Sequence, residues 1–299
     1  MRVLVFGAAG FIGYPLSQAL VRAGHTVYGQ TRSPNSAKQL VANEINAIVA
    51  GPLDVASWES IIGTVDVVIE ALGGQEKRTI AVELFSTITK LAQERRPAGS
   101  AKITYIWTAG TWFHGDDRKN IVSDTTPLNA PMSLLSWGPA IQESIISSSI
   151  LNGIVIRPSM VYGRSGSIFG IMFKSAYEGK LTWPGKPGGR LAVIHQDDVA
   201  DFYVRVAEQG AVAKGLVFDV SDTATVGVDD LLARLAETVG LNGYEYAEPT
   251  NPYEEAIAST SLVRPYLGRA LLGWYPRKND LVENIEAYYN AWKANNSLP

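Results

Sequence analysis

A chain of 299 residues that is 46% apolar and 18% charged has enough hydrophobic sequence for a sizeable core in one or two domains, which excludes a disordered polymer. Its formal charge of −3, with Lys and Arg scattered along the chain, leaves no basic footprint and speaks against nucleic acid as the main partner. Cysteine is absent, so disulfides and thiolate chemistry are excluded, and His25, His114 and His195 lack helical spacing, so no metal is expected.

The N-terminal stretch organises the rest. Val3-Leu-Val-Phe6 reads as a strand buried on both faces. Gly7, Gly10 and Gly13 follow at the spacing G-x-x-G-x-x-G, and a helix opens with Pro15 in its first turn. In a dinucleotide-binding turn such glycines provide the tight bend, the approach of backbone to pyrophosphate, and close helix–strand packing, while free helix amides hold the phosphates. The expected cofactor cradle is therefore Gly7, Ala9, Gly10, Phe11, Ile12 and Gly13.

A second strand, His25 to Arg32, ends Tyr28-Gly-Gln-Thr-Arg-Ser33 without the acidic residue that usually bonds the ribose of NAD. Arg32 suits a 2′-phosphate, so NADP(H) is preferred over NAD(H); stacking on adenine or facing water are its other readings. Asp54 either borders the adenine or caps the helix near Ser57.

Strand candidates at Ala47–Ala50, Asp66–Leu72, Ile103–Thr108, Gly153–Arg157 and Leu216–Val220 alternate with helices at Ser57–Ile62, Thr79–Glu94 and about Ala140–Leu151. The fold class is α/β: a doubly wound parallel sheet (Rossmann) with a small C-terminal substrate lobe. We expect residues 1–164 to form the dinucleotide-binding domain, with 191–223 returning to it, and 165–299 to be mainly substrate-binding. Helices are expected at Asp198–Glu208, Val228–Val239 and Asn279–Ala294. The Thr79–Glu94 helix carries Ile80, Leu84, Ile88 and Leu91 in one stripe and Val82, Phe85 and Ala92 outside it, a pattern open to a second subunit, so the chain is a monomer or a homodimer. No apolar run reaches membrane-spanning length and glycines interrupt the N-terminus too early for a signal peptide, so the expectation is a cytoplasmic protein without a membrane partner.

Gly7 to Gly13, Asp66-Val-Val-Ile-Glu-Ala-Leu-Gly73, Ile106-Trp-Thr-Ala-Gly-Thr111, Arg157-Pro-Ser-Met-Val-Tyr-Gly163 and Ile194-His-Gln-Asp-Asp-Val-Ala200 together resemble the extended or atypical branch of the short-chain dehydrogenase/reductase superfamily, in particular NAD-dependent epimerase/dehydratase-like proteins. The resemblance adds Leu72, Gly73, Thr108 and Pro158 to the expected cofactor contacts. It also implies a Tyr-x-x-x-Lys pair for proton transfer, but Trp137 stands where the tyrosine belongs and Ile141 where the lysine belongs. An indole does not exchange its proton near neutral pH, and isoleucine has no charge. Thr111, His114 and Tyr162 are the remaining candidates for a proton path; capping or packing roles are the alternative for each.

Trp112, Trp137, Phe169, Phe173 and Trp183, with Trp107, are expected to wall a pocket for a small apolar or aromatic substrate, or else to be core. The first reading of function is an NADP(H)-dependent oxidoreductase on a small carbonyl or alcohol. The others are a catalytically silent NADP(H)-sensing regulator, and a non-redox lyase, isomerase or dehydratase on the same fold.

Overall fold

The computed structural model describes residues 1–74, 76–278 and 280–299. Val3, Leu4, Val5 and Phe6 in β1 (Arg2–Phe6) have no exposed surface, which fixes this strand in the middle of a sheet covered on both faces. Each such side chain contributes about 1.5–3 kcal/mol by leaving water. The chain continues through α1 (Gly13–Arg22), β2 (Thr26–Thr31), α2 (Pro34–Val41), β3 (Asn46–Val49), α3 (Glu59–Ile62) and β4 (Val67–Glu70). Then come α4 (Lys77–Arg95), β5 (Thr104–Thr108) and α5 (Gly138–Ile146).

With the strands Asn152–Pro158 and Val217–Val220 these build a seven-stranded sheet, ordered Val217–Val220, Asn152–Pro158, β5, β4, β1, β2, β3. The pairings from β3 across to Asn152–Pro158 are parallel. From β1 the chain winds outward to β3 and then returns to lay β4 on the other side of β1. That reversal opens a crevice at the carboxyl ends of β1 and β4, where doubly wound sheets bind ligands. Trp58 locks the return: its ring meets Phe6 edge-on at 5.1 Å and its Nε1 donates to the Pro52 carbonyl at 3.2 Å.

Packing divides the chain into two compact units: Met1–Ala109 with Trp137–Arg157 and Val199–Phe218, and Gly110–Ser136 with Pro158–Asp198 and Asp219–Pro299. The first contains the crevice. Gly110–Ser136, Pro158–Arg164, 191–198 and 219–223 thus group with the second unit, where the sequence placed them with the first.

The second unit is centred on Phe169 stacked on Trp183 at 6.3 Å and on the helix Val228–Val239, which buries Leu231, Leu232 and Leu235. Gly240, at φ 75°, ends that helix in a left-handed turn that a side chain would resist. Asp124 ties the unit together, its Oδ1 accepting from the Asp219 N–H and its Oδ2 from the Tyr266 and Leu267 N–H groups. The last helix spans Ile285–Asn295, starting later than expected; Asn279, where the sequence placed its start, lies outside the described residues. Among the described residues no helix is long and apolar enough to cross a membrane.

Candidate functional site

Three glycines shape the mouth of the crevice. Gly7 turns the chain out of β1 at φ 78°, and a Cβ there would sit 2.7 Å from the Ala71 carbonyl oxygen. A Cβ on Gly13 would lie 2.0 Å from the Gly7 carbonyl oxygen, so only glycine lets α1 begin this close to the turn. No side chain caps α1 among the described residues; the Tyr14 N–H bonds to the Gly10 carbonyl at 2.9 Å and Pro15 has none to give, which leaves the positive end of the helix for an anion. The bare backbone fits the pyrophosphate of a dinucleotide.

The turn is held from β2. The buried Gln30 side chain accepts the Gly7 N–H on Oε1 at 3.1 Å and donates from Nε2 to the Ala50 carbonyl. Sequence reading passed over Gln30; its one signal was an amide in the strand that follows the glycine turn and helix.

The crevice opens into a groove of about 930 Å³ whose lining includes Gly7, Ala9, Gly10, Arg32, Leu72 and Gly73 from the expected cofactor set. Phe11, Ile12 and Gly13 belong to the turn and helix start without lining it, and neither Thr108 nor Pro158 is on its wall. Thr108 is buried, its Oγ1 2.6 Å from the Tyr203 hydroxyl. Ser33, Ser36, Thr79 and Ile80 line the groove and were not anticipated.

At the β2 end, Arg32 is exposed and has no ion-pair partner among the described residues. Ser33 caps α2 by accepting the Ser36 N–H at 3.2 Å, so a guanidinium, two hydroxyls and a helix N-terminus share one corner. Asp54 lines the groove and precedes the turn Val55–Ser57, where its side chain makes no capping bond to the backbone but accepts the Ser57 hydroxyl at 2.7 Å.

The expected proton-path residues all fall in the second unit. Thr111 is buried at the start of the short turn Thr111–His114. His114 has its side chain 1% exposed, with Nε2 2.8 Å from Asp219 Oδ2. Tyr162 donates its hydroxyl to the Lys278 carbonyl at 2.7 Å, and burial drives its pKa far above the normal phenol range. These commitments weigh against His114 and Tyr162 as donors to a substrate.

Of the expected pocket residues, Phe169, Phe173 and Trp183 are core, with Trp112 packed half-buried against that core. Trp137 lies in the first unit, half-buried, 6.0 Å from the Trp107 ring. It precedes α5, and Ile141 is buried on the same helix. The region from Pro131 to Leu151 contains neither tyrosine nor lysine.

The sequence model of the NAD dependent epimerase/dehydratase family matches residues 3–220. A 3-diazoavenalumate denitrifying reductase from Streptomyces sp is 25% identical, covering 92% of this chain and 88% of that protein. A UDP-glucose 4-epimerase from Mycolicibacterium smegmatis is also 25% identical, covering 97% and 99%. Among solved structures, the dTDP-glucose 4,6-dehydratase of Bacillus anthracis, determined with NAD, superposes with a TM-score of 0.82 at 16% identity over 99% of this chain and 97% of that one.

Proposed function

This chain belongs to the NAD dependent epimerase/dehydratase family, and from that premise we propose that it is an NADP(H)-dependent oxidoreductase acting on a small apolar or aromatic carbonyl or alcohol. The cofactor half of the reading rests on the groove corner where Arg32, Ser33 and Ser36 meet with no carboxylate at the end of β2. A 2′-phosphate there pairs with the guanidinium and accepts from hydroxyls, whereas an acid in that place would repel it. When bound, the nicotinamide supplies or accepts hydride; the protein supplies the grip, the orientation and a proton.

The bare turn of Gly7, Gly10 and Gly13 grips the diphosphate, and Gln30 keeps that turn rigid. Trp137, half-buried at the start of α5 and backed by the buried Trp107, favours a substrate of low polarity.

Titration with NADPH and NADH tests the reading, together with NADPH consumption against aldehydes, ketones and enones. NADPH is expected to bind more tightly than NADH by about tenfold or more, and Arg32→Ala to remove most of that difference while leaving NADH affinity unchanged. Equal losses for both nucleotides would overturn the 2′-phosphate assignment.

A second reading is favoured by the lack of tyrosine and lysine on α5 and by the commitments of His114 and Tyr162: an NADP(H)-sensing regulator without turnover, or a non-redox lyase, isomerase or dehydratase. Tight NADPH binding with no consumption across the panel would select it.

A further inference from the structure

The end of β4 and the first turn of α4 hold a glutamate and a lysine that the dinucleotide grip does not use. Glu70, the last residue of β4, is 1% exposed, and its Oε2 accepts the Tyr105 hydroxyl at 2.7 Å. Lys77, the first residue of α4, places Nζ 5.9 Å from the centroid of the Trp107 ring, the ring that neighbours Trp137. Among the described residues no hydrogen bond or ion pair restrains that Nζ. Glu76 immediately before it and Thr79 two residues after it both line the groove. The cation, flanked in sequence by two groove residues, lies over the ring that neighbours Trp137 at the start of α5, the helix that has neither tyrosine nor lysine.

We propose that Lys77 is the proton donor to the substrate, with Glu70 as the positioning residue that governs its charge. The proposal rests on the oxidoreductase reading. In the reducing direction an N–H bond of the Lys77 ammonium breaks and an O–H bond forms on the carbonyl oxygen, leaving a neutral amine. The carbonyl carbon takes its two electrons as hydride from the reduced nicotinamide, and water returns a proton to the amine.

Burial holds the Lys77 ammonium below the usual lysine range, with Glu70 pulling the other way. Burial also holds Glu70 above the usual carboxylate range, against the Tyr105 hydrogen bond and the Lys77 charge. Glu70 from β4 and Tyr105 from β5 are the titratable groups grouped with this lysine. A lysine able to lose its proton nearer neutrality is what donation requires; arginine cannot do the same.

The experiment uses the full-length protein labelled with ¹³C-lysine, its spectrum followed with pH in the absence and presence of saturating NADP⁺. Lys77 is assigned as the signal that Lys77→Arg removes. That signal is expected to titrate below the other lysines, to move further down in Glu70→Gln, and to shift when NADP⁺ binds. Lys77→Met and Lys77→Arg are expected to lower kcat about 100-fold with NADPH Kd changed less than about threefold, and Glu70→Gln to move the alkaline limb of kcat to lower pH. Should the methionine variant fail to fold, the arginine variant, which keeps the charge, carries the same test.

A Lys77 signal that titrates with the others, or that ignores NADP⁺ in a protein that demonstrably binds it, would overturn the proposal; so would full kcat in Lys77→Arg. Absence of any NADP⁺ binding isotherm in the wild type would instead bring down the underlying functional reading, and this proposal with it.

Discussion

Asp222 shows how one side chain sets a pH response. It is 3% exposed with no hydrogen-bond partner for Oδ1 among the described residues. Burial first, then the charges of Asp198 and Asp280, push its pKa up to about 8. The folded chain therefore keeps a proton that the unfolded chain gives up above about pH 4, and this contribution to stability falls as pH rises toward 8. His195 works in the opposite sense at lower pH. Burial and the Lys278 charge hold it at about 4, so its contribution grows as pH rises to about 6.5 and is flat beyond. The two slopes oppose one another up to about pH 6.5, and Asp222 acts alone from there to about 8. Wild-type protein is expected to lose stability between pH 6.5 and 8.5, by on the order of a kcal/mol or more, and Asp222→Asn to flatten that loss, measured as urea midpoints across the range. A slope unchanged in the variant would remove Asp222 as its source. None of this was legible in the sequence. Asp222 lies far along the chain from Asp198 and Asp280, and local spacing carries no record of which carboxylates the fold gathers.

At the scale of the element, α1 and its turn were the most legible part of the chain, because each glycine is demanded locally. Gly13→Ala puts a methyl group 2.0 Å from the Gly7 carbonyl oxygen, so the helix must move off the turn. We expect a loss of about 1–3 kcal/mol in stability and at least about a tenfold loss in nucleotide affinity, read by thermal unfolding and by NADPH titration. Nucleotide affinity within twofold of wild type would show that the turn does not form the grip. Helix α5 was less legible at its end. The apolar period runs on to Leu151, but the helix stops at Ile146 because the serines that follow bond to the backbone themselves. The Ser147 hydroxyl donates to the Glu143 carbonyl at 2.7 Å, and Ser148 Oγ accepts the Ile150 and Leu151 N–H groups. In α4, Phe85 lies outside the expected stripe yet packs on Tyr105 at 5.3 Å, while Val82 is left exposed. One of its two apolar faces is thus partly used within the chain.

For the whole molecule, alternation of strands and helices gave away the doubly wound sheet, since period and punctuation are local properties that a parallel sheet must display. The aromatic residues misled at this scale: Phe169, Phe173 and Trp183 have the composition of a pocket wall and the environment of a core, and only three-dimensional packing separates the two. Because the groove lies wholly within the first unit, NADPH is expected to protect that unit more than the second. At one hundred times its Kd the nucleotide adds about 2.7 kcal/mol, so hydrogen exchange in β1, β2 and β4 should slow more than in the helix Val228–Val239. Uniform slowing of both units would show that they open as one.

The interleaved path of the chain, with each unit assembled from separate stretches, has a consequence for inheritance. A single genetic crossover cannot exchange one unit for a homologous one, because every cut leaves at least one of them chimeric. Change in what such a protein recognises must therefore come by substitution in place, and relatives should drift in chemistry while retaining the same threading from end to end.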